Sequence, residues 1–212
     1  MGESVFFIFK VPSSFQKEQT KELLKKFKET KNLLKQERIK SESDKIICSF
    51  GPGWVSIELG RGKNNNYLRL YATTTSHEEN ILELSKKIYA QIKCPGIGFT
   101  DCSASSMGKD KEDIEIWGGD EFWFSGNYDV LNFDTLFDFN ILTKKEVDKI
   151  GKKKILSLPR EICDCVEELE DGAIFMRITF IEVTANGKMR NAVRKYLGMK
   201  IYGKTEDKNN KT

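Results

Sequence analysis

The stretch WVSIELGRGKNNNYLRLYAT, residues 54–73, decides the fold. Apolar and polar residues alternate from Trp54 to Leu59 and again from Tyr67 to Thr73, the period-2 pattern of strands with one buried face. Between them GRGKNNN, Gly60 to Asn66, is rich in the residues that reverse a chain. Two alternating runs joined by such a turn form an antiparallel hairpin.

Working outward, SVFFIFKV (4–11) is a near-continuous apolar run ended by Pro12, and KIICSF (45–50) is a further strand closed by Gly51–Pro52–Gly53. Ser13 and Gln16 have capping-box spacing, and Leu23, Leu24, Phe27, Leu33 and Leu34 follow at helical intervals, which predicts a helix over 14–40. Ser76 and Glu79 repeat that spacing before a second helix over 77–93, which stops ahead of Pro95. The first hundred residues therefore read β-α-β-β-β-α. The expected class is α+β: one domain over 1–204, a mostly antiparallel sheet with helices packed on one face, and a disordered polar tail over 205–212. Phe7, Phe9, Leu24, Phe27, Ile57, Leu70, Ile88 and Phe180 are the expected core.

Farther along, 97–102, 113–117 and 173–184 read as strands. Thr143 with Glu146 opens a short helix toward Gly151, Leu158–Pro159–Arg160 begins a helical turn holding Cys163 and Cys165, and 188–199 forms a basic helix. The stretch GGDEFWFSGNYDVLNFDTLFDFN (118–140) has no clean period.

Across the 212 residues, 35 Lys and Arg stand against 32 Asp and Glu, a net charge of +3 that names no nucleic-acid or membrane partner by itself. Fourteen Phe against four Pro fit a folded chain rather than a disordered one. No apolar run approaches the roughly 20 residues that cross a bilayer, and MGESVFFIFKVP lacks the basic start and cleavage site of a secretory leader. These features predict a cytoplasmic protein. Five cysteines, Cys48, Cys94, Cys102, Cys163 and Cys165, do not pair evenly, and the spacings among the last four do not match zinc knuckles. They are expected as reduced, small apolar residues, with no metal or other cofactor.

Catalytic patterns fail in an instructive way. His77 is the one histidine, and it falls at a predicted helix start, so triads that need imidazole have nothing else to draw on. The glycines at 51–53 and 60–62 lack the order and the strand–helix context of a phosphate loop.

Charge placement says more than net charge. From Asp110 to Asp138 there are nine acids against Lys111 alone, a local charge of about −8, interleaved with Trp, Tyr and Phe. Acids steer a basic partner and aromatics supply area that desolvates on contact. Asp113, Trp117, Asp120, Glu121, Trp123, Tyr128 and Asp129 are the candidate contacts. They point to a non-enzymatic protein-binding module, in the manner of an inhibitor or immunity-type protein that covers a basic toxin or nuclease. The competing view of the same residues is that the aromatics turn inward as core. Lys188, Arg190, Arg194 and Lys195 on the C-terminal helix offer a phosphate-contacting stripe and hence a nucleic-acid-associated alternative. An enzyme built on carboxylates without histidine is the second alternative, with Asp120–Glu121 and Asp134/Asp138 as its candidate pairs.

Overall fold

Strand β1 (Ser4–Pro12) organises the molecule because both of its faces are buried. Val5, Phe7, Phe9 and Val11 enter one core cluster, while Phe6 and Ile8 enter another on the opposite side, as successive side chains of a strand must. In the computed structural model, which describes residues 4–16, 18–23, 36–42, 45–50, 53–72, 78–101, 131–179 and 186–202, β1 is the central strand of one sheet.

The other strands are β2 (Gln36–Glu42), β3 (Lys45–Phe50), β4 (Gly53–Arg61), β5 (Asn65–Ala72), β6 (Gly96–Asp101), β7 (Phe139–Leu142), β8 (Cys163–Glu168) and β9 (Ile174–Ile178). Their order is β2-β3-β4-β5-β1-β6-β7-β9-β8, and every neighbouring pair is antiparallel. The opening hairpin forms as read, with Ile57 opposite Leu70 and Leu59 opposite Leu68. Phe7, Phe9, Ile57, Leu70 and Ile88 are all buried. The side chains of Leu24, Phe27 and Phe180 lie outside the described residues.

Among the described residues, the helices with both ends defined are α1 (Glu78–Ile92), α2 (Lys144–Ile150), α3 (Lys152–Leu156) and α4 (Asn186–Leu197). The first of these lays Ile81, Leu82, Leu84, Ile88 and Tyr89 on the Phe7/Phe9 face, as expected of the first hundred residues. Three groups of polar contacts then fix its outer side to the β8–β9 hairpin. Arg177 bonds Asp164 at 2.8 Å and Glu79 at 2.9 Å, Lys86 meets Glu167 at 2.6 Å, and the Tyr89 hydroxyl donates to Asp171 at 2.8 Å. Cover on the opposite face comes from later in the chain. There Ile174, Met176 and Ile178 pack with Val147, Ile155, Val193 and Leu197 from α2, α3 and α4. The α+β class and the single antiparallel sheet agree with the sequence.

Three expectations are corrected. The helix predicted through residue 40 does not reach that far: residues 18–23 are helical, but 36–42 are β2, with Lys40 opposite Ile47 and Glu42 opposite Lys45. Helix propensity is a weak prior, and cross-strand pairing overrides it here. Cys163 and Cys165 lie on strand β8 rather than in a helical turn, paired to Ile178 and Arg177 across a bulge. The 139–142 segment, aperiodic in sequence, is β7, buried at every position because it has neighbours on both edges and cover on both faces. The predicted strand at 113–117 and the tail at 205–212 lie outside the described residues.

At the α2 start, Thr143 N–H and its hydroxyl both donate to Glu146 Oε2, at 2.7 and 2.9 Å, so the predicted capping pair forms. The α4 end is a Schellman turn: Gly198, at φ 75°, donates to Lys195 O and Met199 donates to Arg194 O.

Candidate functional site

Strands β6 and β7 are direct partners, with Gly98 opposite Phe139. A hairpin between such neighbours needs only about two to five residues, yet residues 102–138 intervene. This inserted stretch holds the acidic–aromatic sequence. Asp113, Trp117, Asp120, Glu121, Trp123, Tyr128 and Asp129 all fall within 102–130, outside the described residues, as does His77.

Its C-terminal foot, 131–138, is described in full and is held from below by α4. Arg190 Nη1 pairs with Asp138 Oδ1 at 2.9 Å, each side chain 8% exposed. Arg194, fully buried, donates through Nη2 to Leu136 O and through Nη1 to Asn191 Oδ1, and stacks 5.0 Å from the Tyr202 ring. Asn140 closes the same turn from β7: its Oδ1 accepts from Phe137 N–H and its Nδ2 donates to Phe137 O, both at 2.8 Å. Asn132 Nδ2 reaches the Tyr202 hydroxyl at 3.0 Å. Each of these side chains has at least one polar partner, as burial requires.

This arrangement revises two readings of the sequence. Arg190 and Arg194 do share a face of α4, but that face is interior. Their guanidinium groups serve internal acceptors, so the phosphate-contacting stripe loses its two arginines, and of the four named residues Lys188 and Lys195 are the exposed pair. Among the acids, Asp138 is an internal counter-ion while Asp134 is exposed, so they do not converge as a catalytic pair. Phe137 and Phe139 are buried and Phe133 is half-buried, so these aromatics do turn inward.

Of the anchoring residues, Asn140 and Asn191 are missing from the sequence-based candidates, while Asp138 and Arg190 are named there for other roles, a carboxylate pair and a phosphate-contacting stripe. Arg190 and Arg194 at i,i+4 beside Asn191 were a visible polar face; the buried partner was not.

Cys163 is buried, and its thiol is pushed up to about 12, first by burial and then by the neighbouring Asp164 charge. Burial likewise raises the thiols of Cys94 and Cys165. A protonated thiol is a poor nucleophile. Treatment of the native protein with iodoacetamide at pH 8 is therefore expected to leave Cys163 unmodified, and modification should appear only on unfolding; mass spectrometry of the Cys163 peptide checks this. Among the described residues, no three His, Cys, Asp or Glu side chains are grouped to hold a metal ion, and no helix is long and apolar enough to cross a membrane.

A cavity of about 350 Å³ opens where the 131–136 stretch meets α2 and the end of α4. A second, of about 310 Å³, lies between Phe15, Leu23 and the end of α1.

No family model matches the chain, and no curated protein matches it. Among solved structures, the ligand-free regulatory subunit of aspartate kinase from Thermus thermophilus is similar at 10% identity, over 92% of each chain, with a TM-score of 0.25. A likeness that slight transfers neither fold nor function to this chain.

Proposed function

We propose that the protein is a cytoplasmic protein-binding module without catalytic activity, which uses residues 110–129 to cover a basic partner. An inhibitor or immunity-type role against a cationic toxin or nuclease is the form that suits this chemistry. The observation that carries the proposal is the placement of residues 102–138 between two strands that pair directly, on a foot pinned by buried arginines. A connection that long is far more than two paired strands require, and long connections on a rigid scaffold commonly carry function. With Asp138 neutralised internally by Arg190, eight acids against Lys111 remain over 110–134. That density favours fast, salt-sensitive association with a cationic surface. The nucleic-acid alternative is weakened by the burial of Arg190 and Arg194.

Capture from the protein's own cells tests the proposal. The wild-type chain is expected to retain a basic protein that elutes as salt rises, and the D120K/E121K variant is expected to lose it. Retention of nuclease-sensitive nucleic acid instead, abolished by K188A/K195A, would favour the alternative.

A further inference from the structure

The cavity between the 131–136 stretch, α2 and the α4 end has the makings of a small-molecule site, lined by residues other than those named for the proposed protein contact. Its walls are apolar: Phe133, Leu136, Leu142, Ile150, Leu197 and Met199. At about 350 Å³ it falls within the usual range for ligand pockets, about 300–1,000 Å³. The walls are also set in advance. Arg194 holds Leu136, Arg190 holds Asp138, and Asn191 bonds both the carbonyl and the N–H of Tyr202, which fixes the strand of chain leaving α4. Binding here would not have to order its own pocket, which removes a large part of the usual cost.

Polar groups at this cavity favour an anion. Lys149 and Lys200 both line it and both are exposed. Lys154 reaches the same edge, its Nζ 3.3 Å from where a Cβ on Gly198 would sit. None of the three makes an ion pair with a described acid, whereas nearby Lys144 and Lys152 are paired with Asp148 and Glu168; Lys200 Nζ rests 4.7 Å from the centre of the Tyr202 ring, a contact that leaves its charge unneutralised. The ordinary role for such lysines is to answer the negative end of a helix. Lys149 has that role in the last turn of α2 as well as its place at the cavity, while at α4, which Lys200 follows, the need is reduced because the Schellman turn occupies the carbonyls of Arg194 and Lys195. Two acids also line the cavity. Glu146 is half-buried, its Oε2 already accepts two bonds from Thr143, and burial raises its carboxyl above the ordinary range. Asp134 is exposed to water. Thr135 also lines the cavity, and its hydroxyl is buried with no hydrogen-bond partner.

We propose that this cavity binds a small carboxylate with an apolar body, the chain against Leu136, Leu142 and Ile150 and the carboxylate at Lys149 and Lys200. Three probes that share one apolar body separate the contributions: octanoate, 1-octanol and octylamine. In calorimetric titrations of the full chain, octanoate is expected to bind saturably and about tenfold or more tighter than octanol, since hydrogen bonds to charged groups are stronger than those between neutral ones. Octylamine should bind more weakly than octanol. K149Q/K200Q alters exposed side chains, so it should leave the fold intact, weaken octanoate about tenfold and leave octanol unchanged. Ile150→Trp, which fills the cavity, should weaken octanoate and octanol together. Octylamine binding as tightly as octanoate, octanoate indifferent to K149Q/K200Q, or no saturable octanoate binding would each overturn the assignment.

Discussion

Arg190→Ala is expected to lower the unfolding free energy by about 3–5 kcal/mol, the range for removing one partner of a buried ion pair. The loss is not that of the contact alone. Asp138 is 5% exposed, and without the guanidinium its carboxylate keeps only the Thr100 N–H, at 3.4 Å, among the partners identified for it. An unpaired charge in that position must either be protonated or be reached by water, and each opens the foot of the inserted stretch. Replacing both groups with apolar residues of similar size, Asp138→Leu with Arg190→Met, removes the charge and its counter-charge together. The double variant is expected to recover much of the loss, because buried pairs often exchange for apolar packing at little net cost. Urea unfolding of the two single variants and the double variant checks this. A double variant as unstable as the sum of the singles would mean that the two side chains act independently.

Phe7→Ala is expected to cost about 3–5 kcal/mol, the usual range for truncating a buried aromatic. Cross-strand packing makes this position more specific than an ordinary core site. Phe9 faces Gly96 and Phe7 faces Gly98 across β1 and β6. A Cβ on Gly96 would lie 2.4 Å from Phe7 Cε1 and 2.9 Å from Phe9 Cε1; one on Gly98 would lie 2.6 Å from Phe7 Cδ2 and 2.8 Å from Phe6 O. The phenylalanine rings thus occupy space that β6 leaves open by carrying glycine, which is how aromatics offset the weak strand propensity of glycine. Gly96→Ala alone should cost about 1–3 kcal/mol through overpacking. In the Phe7→Ala background the closest clash is gone, so the two changes should couple by about 1 kcal/mol in a double-mutant cycle. Strict additivity would contradict the packing described here.

The fold was legible wherever one local signal sufficed. β4, β5 and α1 each carry a period, β1 a near-continuous apolar run, and each lies within a few residues of its predicted place. The elements missed are those whose identity depends on distant partners. QERIKSE of β2 is charged and helix-like on its own and becomes a strand by pairing with β3. FNIL of β7 is too short to show a period, and CDCVEE of β8 is extended because β9 lies beside it. The same limit governs the site. Counting charges placed Asp138 with the surface acids and Arg190 with a basic stripe, yet these two are 52 residues apart in sequence and neutralise each other inside the protein. Composition cannot separate a steering charge from a buried counter-ion; only the fold does.

The central claim is that residues 110–129 meet a basic partner, with carboxylates acting before contact and aromatics after it. The most direct measurement is the association and dissociation kinetics of the captured partner against three variants, over a range of salt. Glu121→Lys is expected to slow association and flatten its salt dependence, because long-range attraction acts during encounter. Trp123→Ala should leave association nearly unchanged and speed dissociation, weakening the complex by about 2 kcal/mol or more if it sits at the centre of the contact. Lys188→Ala with Lys195→Ala should change neither rate. A partner whose rates ignore both 110–129 substitutions and collapse on loss of Lys188 and Lys195 would contradict the account.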